Sequence, residues 1–214
     1  MSKKTMLLAV AVASVALFAL PPMASASEIH FEGATGVSFT GHGPASSPSA
    51  KSEPTITCET GHVKGWFTSE TTGVAHGDLT GCHINVLGFT VKCRTVASAL
   101  DNTITSEGTF HLITTTDGPA MLATPNTTTL ICAGSEIVTG GDLITTITKP
   151  KCGESSEEAA GVASTTNGVQ THKTYTGKTY YPTATTAGSG TVLETGVDAT
   201  GTITFSKSLK LVCT

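Results

Sequence analysis

Two chemistries are open to the six cysteines of this chain, disulfide formation and metal ligation. The sequence contains no Cys-x-x-Cys pair, the close spacing that structural zinc sites commonly use. All six cysteines follow an N-terminal segment with the features of an export signal, so the mature chain would fold where disulfides persist. We therefore predict three disulfides, with no metal site and no cofactor.

The order of the cysteines favours one local bridge and leaves the others open. Cys82 and Cys93 flank a short segment that suits a β-hairpin, so Cys82–Cys93 is the best-supported pair. For the remaining cysteines we favour Cys58–Cys132 and Cys152–Cys213. The competing set is Cys58–Cys213 with Cys132–Cys152.

The seven histidines supply groups for acid–base catalysis or metal binding, but no motif organises them. Nucleophile-elbow, metalloprotease, calcium-loop and phosphate-loop patterns do not occur in the sequence. The candidates for a site assembled from loops, together with nearby acids such as Asp78, are His62, His76, His83 and His111. None of them has the spacing of a known metal site. We predict that the protein is not an enzyme, with a motif-less secreted hydrolase as a distant alternative.

Three aromatic residues are the candidate ligand-binding side chains. Trp66 is the only tryptophan, and Tyr180 and Tyr181 are adjacent. Exposed rings on a β surface can stack on sugars, so the alternative function is a carbohydrate-binding or cell-wall-associated module. A lone strand tryptophan also commonly fills a β-sandwich core, and adjacent tyrosines point to opposite faces of a strand. Exposure of these rings therefore decides between the two interpretations.

The N-terminal segment has the three regions of a secretory signal peptide. Lys3 and Lys4 form a positive region, residues 6–20 are apolar, and Ala24-Ser25-Ala26 matches a cleavage site. We predict cleavage after Ala26 and a mature chain, residues 27–214, that is secreted and extracellular, or loosely associated with the cell wall. No later apolar stretch approaches the roughly 20 residues that a membrane span requires, so we predict no membrane anchor.

Composition predicts an all-β fold for the mature chain. The sequence has 41 threonines, and outside the signal no window carries a sustained helical apolar stripe. Apolar residues alternate in runs that end at cysteines, as in residues 87–93 and 203–213, which places those sulfur atoms on the core side. Many short strands between turn signals favour one domain over 27–214, an antiparallel β-sandwich stapled by disulfides. Residues 41–54 and 153–168 are predicted to be mobile loops.

The charge of the mature chain excludes nucleic acid as a partner. Loss of Lys3 and Lys4 would leave 10 basic and 16 acidic residues, a net charge of −6. Arg94 is the only arginine. Such a chain lacks the basic surface that neutralises phosphates.

Short motifs run through the mature chain in the order Ile-Thr-Cys58, Thr-Gly-Cys82, Cys93, Gly-Thr-Phe-His-Leu, Leu-Ile-Cys132, Val-Thr-Gly-Gly141, Val169-Gln170 and a late Thr-Ile-Thr. This order resembles that of an uncharacterised family of small secreted actinobacterial all-β proteins. The resemblance implies an extracellular β-sandwich and transfers no functional residue, because the group has no known activity. We predict a secreted non-enzymatic protein with a binding or structural role, whose partner is an unidentified extracellular protein or polysaccharide.

Overall fold

The computed structural model describes residues 28–47, 55–98, 100–170, 173–186 and 190–214, of which 73% lie in β-strands and none in a helix. The all-β prediction is confirmed, as the abundance of β-branched residues favours. Within these ranges no helix is long and apolar enough to cross a membrane. The predicted signal peptide, residues 1–26, lies outside the described residues.

In chain order the strands are β1 (Ile29–Glu32), β2 (Ser38–Ser47), β3 (Ile56–Phe67), β4 (Thr72–Thr80), β5 (His83–Val86), β6 (Phe89–Thr95), β7 (Ile104–Thr115), β8 (Gly118–Pro125), β9 (Thr128–Cys132), β10 (Ser135–Gly141), β11 (Leu143–Lys149), β12 (Ser155–Ala163), β13 (Thr165–Thr166), β14 (Val169–Gln170), β15 (Lys173–Tyr175), β16 (Lys178–Tyr180), β17 (Pro182–Thr186), β18 (Val192–Glu194) and β19 (Asp198–Cys213).

Eight of these strands form a closed antiparallel barrel, so the predicted β-sandwich is wrong. The ring runs β2–β3–β4–β7–β8–β11–β12–β19, and β2 closes it by pairing with both β3 and β19. At one level of the ring Phe39 pairs with Gly65 on one side and with Phe205 on the other. Residues alternate between inside and outside along a barrel strand as they do in a sandwich, so the sequence pattern does not separate the two folds.

A second sheet continues from the start of β3. Thr57 pairs with His83 of β5, and the sheet then runs β5–β6–β9–β10–β17–β18. We call these six strands the side sheet. Its core is distinct from that of the barrel, because Ile84, Ile104 and Leu130 pack there around four buried cysteines.

Phenylalanine rings fill one end of the barrel, which we call the aromatic end. The ring centroid of Phe67 lies 5.2–6.1 Å from those of Phe31, Phe39, Phe110 and Phe205. All five side chains are at most 5% exposed. Three of these four contacts are edge-to-face, a geometry that aromatic pairs prefer. Burial of these rings makes the aromatic end the main apolar core of the barrel.

The chain that precedes β2 covers the aromatic end. The Phe31 amide donates to the Glu70 carbonyl at 3.0 Å, and the Gly36 amide donates to the Phe67 carbonyl at 2.8 Å. Ala34 is fully buried in the same apolar cluster. The aromatic end is therefore closed by both side chains and backbone.

The structure contains the predicted Cys152–Cys213 bridge, but the other two predicted pairings are wrong. The remaining bridges are Cys58–Cys82 and Cys93–Cys132. The β5–β6 hairpin does bring Cys82 beside Cys93, whose amide donates to the Cys82 carbonyl at 2.9 Å. Pairing them would leave Cys58 of β3 and Cys132 of β9 three strand spacings apart, about 14 Å. That separation exceeds the reach of a disulfide, so each hairpin cysteine bonds to the strand on its outer side.

Both predicted loops lie partly in strands. Strand β2 extends to Ser47, so residues 41–47 belong to the barrel, while residues 48–54 lie outside the described residues. Strand β12 occupies Ser155–Ala163 within the predicted loop 153–168. Their glycine-, serine- and glutamate-rich composition resembles that of loops, but each has a barrel neighbour on both sides that completes its hydrogen bonds.

Two glycines inside the barrel differ in the space around them, which gives a stability prediction. A Cβ atom at Gly108 would lie 2.5 Å from the Thr124 carbonyl oxygen and 2.6 Å from Pro125 Cα. At Gly77 the nearest atom would be 3.7 Å away. Gly108→Ala is expected to lower the free energy of unfolding by about 1–3 kcal/mol, a typical overpacking cost. Gly77→Ala should leave it unchanged or raise it, because alanine restricts the unfolded chain. Equal urea midpoints for the two variants would contradict this.

Candidate functional site

The strand register defines which side chains face the lumen of the barrel. Gly41 of β2 pairs with Val63 of β3, Val63 pairs with Gly77 of β4, and Gly77 pairs with Ser106 of β7. Paired residues lie on the same face of a sheet, and alternate residues share that face. Since buried Phe67 has the same parity as Val63, these residues form the inner face.

The lumen contains a cavity of about 350 Å³, lined by residues from all eight barrel strands. Away from the aromatic end, most inward-facing positions around the cavity carry small residues instead of phenylalanines. We call these small residues the small-residue belt, and they are Gly43, Gly61, Ala75, Gly77, Gly108, Ala123, Gly161, Ala163, Ala199 and Gly201. The interior of an eight-stranded barrel is just wide enough for side chains to fill. The cavity therefore exists because the belt supplies almost no side-chain volume.

The rest of the cavity wall is apolar and uncharged on its inner face. Larger side chains in the wall include Val63, Leu79, Met121, Leu143, Ile147 and Ile203. The ionisable lining residues are His42, His62 and Glu107, all of which are exposed and occupy outward-facing positions of their strands. The inward-facing polar side chains of the lining are the hydroxyls of Ser106 and Thr145. Such a wall favours an apolar guest, because a charged one would lose its hydration without compensation.

The cavity opens at the end of the barrel opposite the phenylalanine rings. Pro44, near the end of β2, and Gly201, near the start of β19, both line the cavity and are exposed. Thr57, where the side sheet joins β3, precedes the lining residue Gly61 on that strand, so the side sheet begins at this same end. We call it the open end.

The histidines singled out from the sequence do not converge on the cavity. His76 lies on the outer surface between two carboxylates, with Nδ1 2.9 Å from Glu107 Oε1 and Nε2 3.4 Å from Asp78 Oδ1. The ring of His111 contacts that of Tyr175, with centroids 6.4 Å apart. Among the described residues, no group of three or more His, Cys, Asp or Glu side chains is placed to hold a metal ion. His76 and His111 therefore contribute no group to the lumen.

The candidate aromatic residues lie outside the barrel lumen. Trp66 is 54% exposed and points away from the lumen, since it alternates with the inward-facing Phe67. Tyr180 is half-buried, with its ring centroid 6.5 Å from that of Tyr175, and packs on the outer surface of the barrel. Tyr181 is half-buried as well. The ring contacts found in the described ranges do not join Trp66 to either tyrosine.

No family model, curated protein or solved structure matches this chain. A functional assignment therefore rests on the geometry and chemistry of the molecule itself. The feature that best fits a binding site is the apolar cavity in the lumen.

Sequence reasoning missed the small-residue belt, although the sequence carries a signal for it. Glycines occur inside most barrel strands, for example Gly43 in β2, Gly77 in β4, Gly161 in β12 and Gly201 in β19. Glycine within a strand marks a bend, or a place where a ligand or another backbone approaches closely. The alternation of apolar residues along each strand places these glycines on the inner face. That these glycines, which lie on different strands, surround a single cavity follows only from the closure of the barrel.

Proposed function

We propose that this protein is an exported, non-enzymatic binding protein that holds one small apolar molecule in the lumen of its barrel. The observation that carries the proposal is the 350 Å³ cavity behind the small-residue belt. Ligand sites are typically apolar clefts of about 300–1,000 Å³. An empty apolar cavity of this size is destabilising, since its lining forgoes dispersion contacts that a guest would restore.

Size and chemistry narrow the class of guest. A dry apolar cavity of about 150 Å³ binds benzene in another protein, and this lumen has a little over twice that volume. Ser106 and Thr145 supply hydroxyls, so the favoured guest is a compact apolar molecule with at most one or two hydrogen-bonding groups. Its polar group would lie toward the open end, where water is accessible.

Two further observations support the exported, non-catalytic part of the proposal. Three disulfides join all six cysteines, as expected for a protein that folds in an oxidising compartment. Within the described part of the chain the lining presents no inward-facing titratable side chain, whereas acid–base and nucleophilic catalysis need such a group within reach of the substrate.

Titration with an uncharged apolar dye, N-phenyl-1-naphthylamine, tests the proposal. The oxidised mature chain should bind one dye per molecule, with a saturable rise in fluorescence, and decanol should displace the dye competitively. Native mass spectrometry of the purified protein should also detect a co-purified apolar molecule if the lumen is filled during export. Absence of saturable dye binding would contradict the proposal.

A surface function in carbohydrate or cell-wall binding is the second candidate, and the exposure of Trp66 favours it. A ring that is 54% exposed on a strand is available for stacking on a sugar. Pull-down with insoluble polysaccharides and isolated cell walls tests this idea. The Trp66→Ala variant should lose retention while still binding the dye. Equal retention of this variant and of the wild type would reject Trp66 as the site.

A further inference from the structure

The β5–β6 hairpin ends in the two most exposed large apolar side chains of the described residues. Leu87 is 94% exposed and Phe89 is 74% exposed, and Val86 beside them is 37% exposed. Val86 pairs with Phe89 across the turn, so these two side chains share one face of the hairpin. We call Val86, Leu87 and Phe89 the apolar tip. Contiguous exposed apolar side chains of this kind mark interaction sites.

The turn places leucine where its backbone conformation is unfavourable. The two residues between the paired strands, Leu87 and Gly88, have φ angles of 50° and 86°. A two-residue turn with positive φ at both positions is best served by Asn-Gly. Leucine there gains no packing in the folded chain, because its side chain is almost fully in solvent. Both the backbone conformation and the exposure of Leu87 oppose stability, so folding of the chain does not explain why leucine occupies this position.

The tip points away from the barrel on the side of the open end. Strand β5 runs antiparallel to β3, and His83 lies opposite Thr57. Val86 is three residues further along β5, which carries the tip about 10 Å beyond the level of Thr57. The entrance of the apolar cavity and the apolar tip therefore face the same side of the molecule.

The charged side chains within the hairpin are positive in a chain that is acidic as a whole, although the Glu59 carboxyl group lies beside Gly81 at the base of the hairpin. No acidic residue occurs between Asp78 and Asp101, while Lys92 and Arg94 follow the tip on β6. Lys92 pairs with His83, on the face of the hairpin opposite to Val86 and Phe89. Lys92 lies about 10 Å along the strand from Phe89, so it reaches the head groups when the tip reaches the boundary of the acyl chains.

We propose that the apolar tip docks the protein on the surface of a membrane that contains anionic lipids, with Leu87 and Phe89 inserted at the interface and Lys92 among the head groups. Insertion of apolar side chains together with cations that face anionic lipids is how soluble proteins bind such surfaces reversibly. The choice of a lipid surface rests in part on the proposed function, since a membrane is a source of apolar guests for the lumen. The tip itself is a separate structure from the cavity.

Flotation with large unilamellar vesicles tests the proposal. Vesicles of phosphatidylglycerol and phosphatidylcholine in equal parts should carry the oxidised wild-type chain upward, whereas pure phosphatidylcholine vesicles should carry at least tenfold less. The Leu87→Asn/Phe89→Thr variant should lose at least tenfold in binding. Asparagine suits the positive φ of position 87, so this variant keeps the turn. Lys92→Gln should weaken binding about fivefold, and raised salt should weaken the wild type.

Matched variants separate docking from lumen binding. Trp66→Ala removes an exposed aromatic ring near the aromatic end and should bind vesicles as the wild type does. Gly77→Val/Gly201→Val, which fills the lumen, should lose dye binding and keep vesicle binding. A wild-type protein that binds vesicles but no dye would therefore count against the cavity and not against the tip. Vesicle binding that persists in Leu87→Asn/Phe89→Thr, that ignores lipid charge, or that is absent from the wild type would overturn the proposal.

Discussion

Valine at both Gly77 and Gly201 is expected to weaken binding of an apolar molecule in the lumen at least tenfold while leaving the barrel folded. Both glycines line the cavity. A Cβ atom at Gly77 would meet nothing nearer than Ser106 Oγ at 3.7 Å, and one at Gly201 nothing nearer than the His42 carbonyl oxygen at 3.5 Å. The side chains can therefore enter without displacing backbone, and their methyl groups occupy the space that a guest needs.

The stability of this variant should change little or rise. Valine suits extended backbone and restricts the unfolded chain more than glycine does. Filling an apolar void also adds dispersion contacts. We expect a free energy of unfolding within about 1 kcal/mol of the wild type or above it.

Dye titration and urea unfolding of the same samples check both parts of this prediction. Gly140→Val is the matched control, because Gly140 lies in β10 of the side sheet, away from the cavity, with Thr127 Oγ1 3.4 Å from the added Cβ. The control should bind the dye normally. Dye binding that survives in Gly77→Val/Gly201→Val with unchanged affinity would place the dye outside the lumen.

Replacing Phe67 by alanine is expected to lower the free energy of unfolding by about 3–5 kcal/mol. Phe67 is 2% exposed and its ring contacts four other phenylalanines. Truncation removes the centre of the aromatic end and leaves a void that the surrounding rings cannot refill, because the barrel wall fixes their Cα positions. A loss this large is a substantial part of the total stability of a domain of this size.

The adjacent residue supplies the control. Trp66 is larger than Phe67 but is 54% exposed, so Trp66→Ala should change the free energy of unfolding by no more than about 0.5 kcal/mol. Phe67→Leu should cost less than Phe67→Ala, since leucine fills part of the void. Guanidinium unfolding of the three variants measures these differences. A similar cost for Trp66→Ala and Phe67→Ala would contradict the assignment of Phe67 to the inner face and Trp66 to the outer face of β3.

The local sequence around Cys82 and Cys93 predicts the hairpin but not the disulfide partners of these residues. The segment between Cys82 and Cys93 is a hairpin, as predicted, and the hairpin does place these residues side by side. The bridges nevertheless run outward to Cys58 and Cys132. Their choice depends on which strands flank the hairpin, and that follows from contacts between residues far apart in the sequence.

The loop assignment failed for a related reason. Residues 41–47 contain two glycines, a proline and two serines, a composition that predicts a flexible segment. In the fold they extend β2, because β3 and β19 lie on either side and pair with its backbone. A strand held on both sides needs less intrinsic preference for extended structure than an isolated one, since its neighbours complete its hydrogen bonds.

Local preferences of threonine and valine for extended backbone are enough to predict the all-β class. The two-residue period of a strand is enough to place Trp66 and Phe67 on opposite faces. The tertiary structure alone decided that the sheet closes, which cysteines meet, and that glycines from different strands surround one cavity. Closure requires β2 and β19 to pair across more than 150 residues of sequence, and no local pattern encodes that pairing. The lumen is a property of the ring as a whole, because no strand contributes more than two residues to the small-residue belt.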